Sequence, residues 1–307
     1  YLLKDNRFDF LSFLFKSQKI ISPSSFMEWT LTPTQLPLLK YTIENLGQRS
    51  YQTNPLSIIS FEETQPLFDS YLFSYQTLNK KVSGWLNIPH SCQNQTCPTV
   101  ILVRGYATPE NYYSGYGTKR AAAVFAQNGY ITLSPDFLGF GQSDPEPTDP
   151  WEARFVKPIN VIELLFSLEK FPYLSSSSVP TNHKSIEASK NEIASQSTDN
   201  NAEPTMSVNT QIDTTQIFFW AHSNGGQIVL SVLEALSKPI PSSLWAPVSA
   251  PFPYSILFFT RTDVDEGKEA RAWLAMFERE YDVLDFSATQ HLNRLTAPIQ
   301  IHHGTQD

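Results

Sequence analysis

Residues 217–230 read I-F-F-W-A-H-S-N-G-G-Q-I-V-L and join two kinds of pattern. The first four are apolar, β-branched or aromatic, which is typical of a strand buried on both faces of a sheet. Residues 227–236 place apolar side chains at helical spacing. The patterns meet at Ser223, which has the small residues Ala221 and Gly225 two positions away on either side. On such a turn the serine is forced outward, because small neighbours let the two backbones pack closely.

The pattern around Ser223 has two interpretations. In the first it is the nucleophile elbow G-x-S-x-G, with Ala221 replacing the first glycine at the cost of one methyl group. In the second, Ser223 is only the N-cap of a helix, a position that serine favours. The neighbours His222 and Gly226 favour the elbow, and motifs elsewhere in the chain add to that preference.

Composition limits the classes of partner. The chain has 307 residues, of which 41% are hydrophobic and 13% aromatic, and this predicts a globular protein with a sizeable core. Its net charge of −8 argues against nucleic acid or an anionic membrane surface as a partner. Because no apolar run reaches spanning length, no transmembrane segment is predicted.

The two cysteines, Cys92 and Cys97, lie in a polar loop with four residues between them. They could form a local disulfide or stay reduced. Since no histidine stands near them at ligand spacing, we predict no metal site and no cofactor. The chain starts at Tyr1 without a signal-peptide layout, so we expect it to be cut from a longer protein. The compartment stays open between cytoplasm and export, with a lean to export.

Order along the chain predicts an α/β domain at 51–307 after an N-terminal extension at 1–50. Residues 56–88 hold three short β-rich pieces separated by turn formers, which predicts an antiparallel meander. Residues 99–134 read strand, helix, strand, and this order predicts a parallel crossover unit. We therefore expect a mostly parallel sheet with flanking helices.

Two segments interrupt the alternation of strands and helices. Residues 174–215 are rich in serine, threonine and asparagine and nearly free of aromatics, which predicts a disordered insertion. Residues 247–294 leave the carboxyl end of a strand and carry several aromatics, including Tyr254 and Phe258. We expect this second segment to form a cap, with those two side chains either lining a substrate pocket or packing the cap onto the sheet.

Four short motifs occur in order: Arg104-Gly105-Tyr106 after a strand, P-D-x-x-G-x-G-x-S at 135–143, the elbow, and H-G-T-x-D at 303–307. With these motifs, residues 56–307 resemble the α/β-hydrolase superfamily, in its prolyl-oligopeptidase-type and acylaminoacyl-peptidase-like branch. The resemblance implies the α/β-hydrolase fold and acyl transfer from an ester or amide to water. It also implies that the last helix and strand of the fold lie outside this chain.

The resemblance implies a role for each motif residue. Ser223 is the expected nucleophile and Asp307 the acid that orients the base. The backbone N–H groups of Asn224 and Tyr106 are the expected oxyanion donors. Arg104, which replaces a more common histidine, is either a substrate-binding residue or an anchor of its loop through a carboxylate, and the anchor role is favoured.

None of the six histidines occupies the position that the catalytic base has in the α/β-hydrolases that this chain resembles. His222 is adjacent to the nucleophile but points away from it in such a turn. We therefore expect the base beyond Asp307 and expect the chain as given to be inactive by itself.

Two function classes remain open. The first is a serine hydrolase that acts on a small-molecule ester or a short peptide. Fewer than 100 residues precede Thr99, which leaves no room for a β-propeller and favours a free-standing esterase over an oligopeptidase. The second is a catalytically inert binding or scaffold protein that has kept the fold. Neither class fixes the oligomeric state.

Overall fold

The computed structural model describes residues 36–179 and 206–305 of the chain. Asp307 and residues 1–35 lie outside the described residues. The described residues from 38 onwards form one compact unit. Residues 38–50 pack within it: a Cβ on Gly47 would lie 2.5 Å from the carbonyl oxygen of Ala235.

The strands of the described residues form one mixed sheet in the order β1-β2-β3-β5-β4-β7-β8-β9, with β6 paired to β7. The first three strands form the predicted antiparallel meander, and β5, β4, β7, β8 and β9 are parallel to one another. The strands are β1 Ser57–Thr64, β2 Phe68–Thr77, β3 Lys80–Pro89, β4 Thr96–Val103, β5 Ile131–Pro135, β6 Tyr173–Val179, β7 Met206–His222, β8 Ser242–Trp245 and β9 Ile299–His302.

Helices pack on both faces of the central strands of this sheet because these strands are apolar on both sides. In β4, Val100 and Leu102 pack on one face while Ile101 and Val103 are buried on the other. The helices are α1 Ile43–Gln48, α2 Lys119–Gln127, α3 Pro150–Phe155, α4 Lys157–Lys170, α5 Asn224–Leu236, α6 Tyr254–Thr260 and α7 Lys268–Phe277. Among the described residues, no helix is long and apolar enough to cross a membrane.

The predicted disorder of residues 174–215 is wrong at both ends of that segment. β6 and the start of β7 pair as an antiparallel hairpin, with Tyr173 opposite Gln211 and Val179 opposite Met206. Backbone hydrogen bonds supply the order that the side-chain composition did not predict, and Val208 and Ile212 are buried. Residues 180–205 lie outside the described residues.

The loop before β4 is closed by a disulfide between Cys92 and Cys97, the alternative that the sequence left open. The hydroxyl of Thr210 donates to the carbonyl oxygen of Cys92 at 2.8 Å. The loop is therefore fixed to β7 close to its pairing with β6.

One buried carboxyl lies in the last turn of α5. Glu234 is fully buried, and neither of its carboxylate oxygens has a hydrogen-bond partner in the described residues. The nearby Arg294 donates to the backbone oxygen of Glu234 at 2.8 Å and not to the side chain. Burial raises the pKa of Glu234 from 4.5 to about 8, although the charge of Arg294 opposes the change.

This raised pKa predicts a pH-dependent stability. Between pH 4.5 and about 8 the folded state keeps a proton that the unfolded state releases, so the free energy of unfolding falls as pH rises. The slope for one such group is about 1.4 kcal/mol per pH unit. We expect Glu234→Met, which removes the carboxyl and keeps its volume, to abolish that slope and to stabilise the protein at pH 8 by about 2 kcal/mol or more.

Urea unfolding at pH 5, 6, 7 and 8 measures the effect. Glu278→Met, at an exposed position of the same charge, is the control and should keep the wild-type slope. Equal slopes for the wild type and Glu234→Met would mean that Glu234 is ionised in the folded protein.

Candidate active site

The turn between β7 and α5 holds Ser223 in a conformation that L-residues rarely adopt. Its φ of 54° and ψ of −122° are neither helical nor extended, and such strain costs about 1–3 kcal/mol. Its N–H donates to the oxygen of Trp245 at 2.9 Å, and its own carbonyl accepts from Gly226 and Val248. The side chain makes no capping hydrogen bond, so the interpretation of Ser223 as a simple N-cap is wrong.

The elbow needs small residues because other backbone runs beside it. A Cβ on Gly225 would lie 2.2 Å from the carbonyl oxygen of Val103 and 2.5 Å from that of Arg104. A Cβ on Gly226 would lie 2.6 Å from the Cβ of Pro247. The first helical turn of α5 therefore touches the end of β4, which brings the loop after β4 to the serine.

That loop passes Ser223 within contact distance. A Cβ on Gly105 would lie 3.0 Å from the Cβ of Ser223, so a larger residue there would push the loop and the serine apart by a few tenths of an ångström. Tyr106 follows with a largely exposed side chain. In residues 36–179 and 206–305, the N–H groups of Tyr106 and Asn224 donate to no protein acceptor. Two free donors, one on each side of the serine, are what an oxyanion hole requires.

Arg104 is buried, which corrects its interpretation as a substrate-binding residue. Its guanidinium donates to the carbonyl oxygens of Gly105 at 2.9 Å and Asp136 at 3.1 Å. The rings of Tyr112 and Phe140 lie 4.6 Å and 4.1 Å from the guanidinium carbon. Arg104 thus anchors its loop, as the favoured alternative held, but through backbone carbonyls and aromatic rings and not through a carboxylate.

Asp136 holds the same loop from the other side. Its carboxylate accepts hydrogen bonds from the hydroxyls of Ser83 at 2.6 Å, Tyr112 at 2.7 Å and Ser114 at 2.7 Å. Burial raises the pKa of Asp136, and these three bonds oppose the rise. A Cβ on Gly141 would lie 2.2 Å from the carboxylate, which explains the glycine of the P-D-x-x-G-x-G turn. The aspartate is a positioning residue whose partners are hydroxyls far away in the sequence.

The histidines of the described residues do not complete a catalytic triad. None of their rings hydrogen-bonds to Ser223 in this part of the chain. His222 stacks beside Trp220, with ring centroids 6.4 Å apart. His302 stacks on Trp245 at 4.1 Å. Asp307, the predicted orienting acid, lies outside the described residues and keeps its role only as a prediction.

The segment after β8 forms α6 and α7 and packs on α3 through buried rings that include Phe252 and Phe277. Tyr254 and Phe258, the predicted pocket residues, share an outward face of α6 and are 65% and 49% exposed. A cavity of about 450 Å³ lies instead between α3 and the inner sides of α6 and α7. Its walls include Trp151, Arg154, Ile256, Glu269, Ala270 and Trp273.

Arg154 is a residue of this cavity that no sequence pattern indicates. It lies on a short helix between two predicted elements, and no motif includes it. The contact that brings it to the site is a hydrogen bond to Gln227, 73 residues later in the chain.

No family model matches the chain, and no curated protein matches it. Solved structures do. The acetyl xylan esterase from Paenibacillus sp. R4 is 14% identical over 86% of this chain and 86% of that chain, with a TM-score of 0.46. Acetyl xylan esterase 1 from Thermoanaerobacterium sp. JW/SL YS485 is 10% identical over 87% of this chain and 86% of that chain, with a TM-score of 0.49. An acylaminoacyl peptidase is 13% identical over 84% of this chain and 41% of that chain, with a TM-score of 0.47.

These likenesses are too low to transfer a substrate to this chain. The strand order, the parallel strands from β5 to β9 and the elbow at Ser223 define an α/β-hydrolase fold, as the sequence resemblance implied.

Proposed function

We propose that the protein is a serine hydrolase that cleaves a small ester or a short peptide through an acyl-enzyme intermediate. The observation that carries the proposal is the strained backbone of Ser223, with φ 54° and ψ −122° and no capping bond. A fold retains such strain where the exposed side chain has a use. The free N–H groups of Asn224 and Tyr106 support the same conclusion.

In the proposed reaction the Oγ of Ser223 attacks the acyl carbonyl carbon while a base takes its proton. The N–H groups of Asn224 and Tyr106 donate to the oxyanion that forms. The alcohol or amine leaves with a proton, and water then cleaves the acyl-serine ester. Asp307 is the proposed carboxylate that orients a histidine base.

The second candidate is an inert binding protein with the same fold. It is favoured by one observation: within the described residues no histidine ring reaches the hydroxyl of Ser223. An unactivated serine would not react with electrophiles, because its hydroxyl stays protonated at neutral pH.

Reaction with a fluorophosphonate probe distinguishes the candidates. We expect the natural full-length protein to form a single adduct, mapped by peptide mass spectrometry to Ser223. Heat-denatured protein is the control and should form none, because activation needs the folded site. A folded full-length protein without an adduct would reject the hydrolase in favour of the binding protein.

A further inference from the structure

The cavity between α3 and α6–α7 holds a cation without a counterion. Arg154 is half-buried in its wall and donates from Nη2 to the amide oxygen of Gln227 at 3.2 Å. In the described part of the chain, no carboxylate lies within 4 Å of its guanidinium. Burial lowers the pKa of Arg154 to about 10, and no nearby charge counters it. A desolvated guanidinium is costly unless an anion pairs with it.

A second cation lies three residues further on. Lys157, in the first turn of α4, is half-buried and has no hydrogen bond or ion pair among the residues described. Burial lowers the pKa of Lys157 to about 8. The charge of Glu146 opposes this decrease, whereas the charges of Arg154 and Arg104 lower the pKa further. Positive charge therefore gathers at the junction of α3 and α4, in a protein whose net charge is −8.

The acidic groups near the cavity do not neutralise Arg154. Glu269 is on the opposite wall, where its side chain is exposed and forms no ion pair with Arg154. Glu146 acts on Lys157 from beyond ion-pair distance. An anion bound at Arg154 would thus meet a guanidinium without a counterion on one wall and one solvated carboxylate on the other.

Gln227 links Arg154 to the helix that follows Ser223. It accepts the hydrogen bond from Arg154 and comes four positions after Ser223 on α5, which corresponds to about 6 Å along the helix axis. Trp151 and Trp273 in the walls of the cavity offer apolar surface for the aliphatic part of a bound acid.

We propose that this cavity is a carboxylate-binding subsite, and that the substrate is a monoester or amide of a short dicarboxylic acid. Arg154 holds the free carboxylate with its planar fork, and Lys157 at the start of α4 adds a longer-range attraction. The carboxylate subsite stands on the cavity and on Arg154. The identity of the reacting bond rests on the proposed hydrolase function.

Calorimetric titration of the natural full-length protein with glutarate tests the subsite, with the uncharged glutaramide as the matched ligand. We expect glutarate to bind at least tenfold more tightly than glutaramide and to change the tryptophan fluorescence. Arg154→Gln should weaken glutarate binding tenfold or more, and Arg154→Lys should weaken it less. Arg271→Gln, which removes an exposed charge from α7, is the control and should leave the affinity unchanged.

A second variant tests the subsite if Arg154→Gln does not fold. Ala270 lines the cavity from a half-exposed position, so Ala270→Asp places a carboxylate opposite Arg154 and should weaken glutarate binding tenfold without unfolding the protein. Unchanged affinity in either folded variant, or equal binding of glutarate and glutaramide, would overturn the subsite. Displacement of glutarate by inorganic phosphate at a tenfold lower concentration would overturn its assignment to carboxylates.

The two proposals fail separately. Arg154-dependent glutarate binding without a fluorophosphonate adduct would refute the hydrolase and keep the subsite. An adduct at Ser223 without Arg154-dependent binding would refute only the subsite.

Discussion

Ser223→Ala is expected to slow the hydrolysis of an activated acetate ester by the full-length protein about 100,000-fold. Loss of the nucleophile leaves only the rate enhancement that the oxyanion donors and substrate binding provide. In other serine hydrolases this remaining enhancement is a small part of the whole. The value to measure is kcat/KM by stopped or continuous assay, together with fluorophosphonate labelling, which should disappear. The melting temperature should stay close to that of the wild type, because the hydroxyl makes no capping bond.

Ser231→Ala is the matched control on the same helix. The hydroxyl of Ser231 donates to the backbone oxygen of Gln227 and lies two turns after the elbow. Its loss should leave kcat/KM within about twofold of the wild type, since a local side-chain bond of this kind affects only stability. Turnover that survives in Ser223→Ala would place the nucleophile elsewhere.

Gly225→Val is expected to destabilise the protein by about 3 kcal/mol or more and to abolish soluble expression in the extreme case. Even the Cβ would lie 2.2 Å and 2.5 Å from two carbonyl oxygens of the β4 end, which are backbone atoms with nowhere to move. The start of α5 would have to leave the sheet. Urea unfolding measures the loss where protein is obtained.

Gly129→Asn is the matched control for this substitution. Gly129 has a φ of 86° and open space where a Cβ would be, and asparagine tolerates positive φ better than most residues. We expect it to change the free energy of unfolding by less than about 1 kcal/mol. A Gly225→Val protein as stable as this control would contradict the close contact between α5 and β4.

Local patterns predicted much of this fold because its central elements are short and strongly apolar. The run 217–220 and the helix after Ser223 needed only their own sequence to be recognised. The hairpin of β6 and β7 was missed because its composition resembles a disordered segment. A signal was nevertheless present: Val208, Thr210 and Ile212 alternate with more exposed residues and are all buried.

Local geometry could be predicted where a motif fixes the backbone and not where long-range contacts fix a side chain. The outward turn at Ser223 belongs to the first group. Arg104 belongs to the second, because its partners are the carbonyl of Asp136 and rings of a distant loop. Arg154 is similar, since its importance depends on a cavity that forms only when α6 and α7 pack against α3. The substrate-binding role of Tyr254 and Phe258 stays a prediction, because aromatic composition does not tell which face of a helix turns inward.

The length of β7 gives the molecule a convenient attachment point. The strand includes 17 residues, but between Ile212 and Ile217 it advances by only two positions of β4. At about 3.3 Å per residue its start, Met206, is therefore roughly 45 Å from Ser223. Met206 pairs with Val179 at the end of the hairpin, which brings both chain ends of the intervening 180–205 stretch together there. A fluorescent reporter or affinity tag spliced between these two strands would sit at the pole opposite the elbow. Surface immobilisation through such a tag would orient every molecule with its cleft towards the solution.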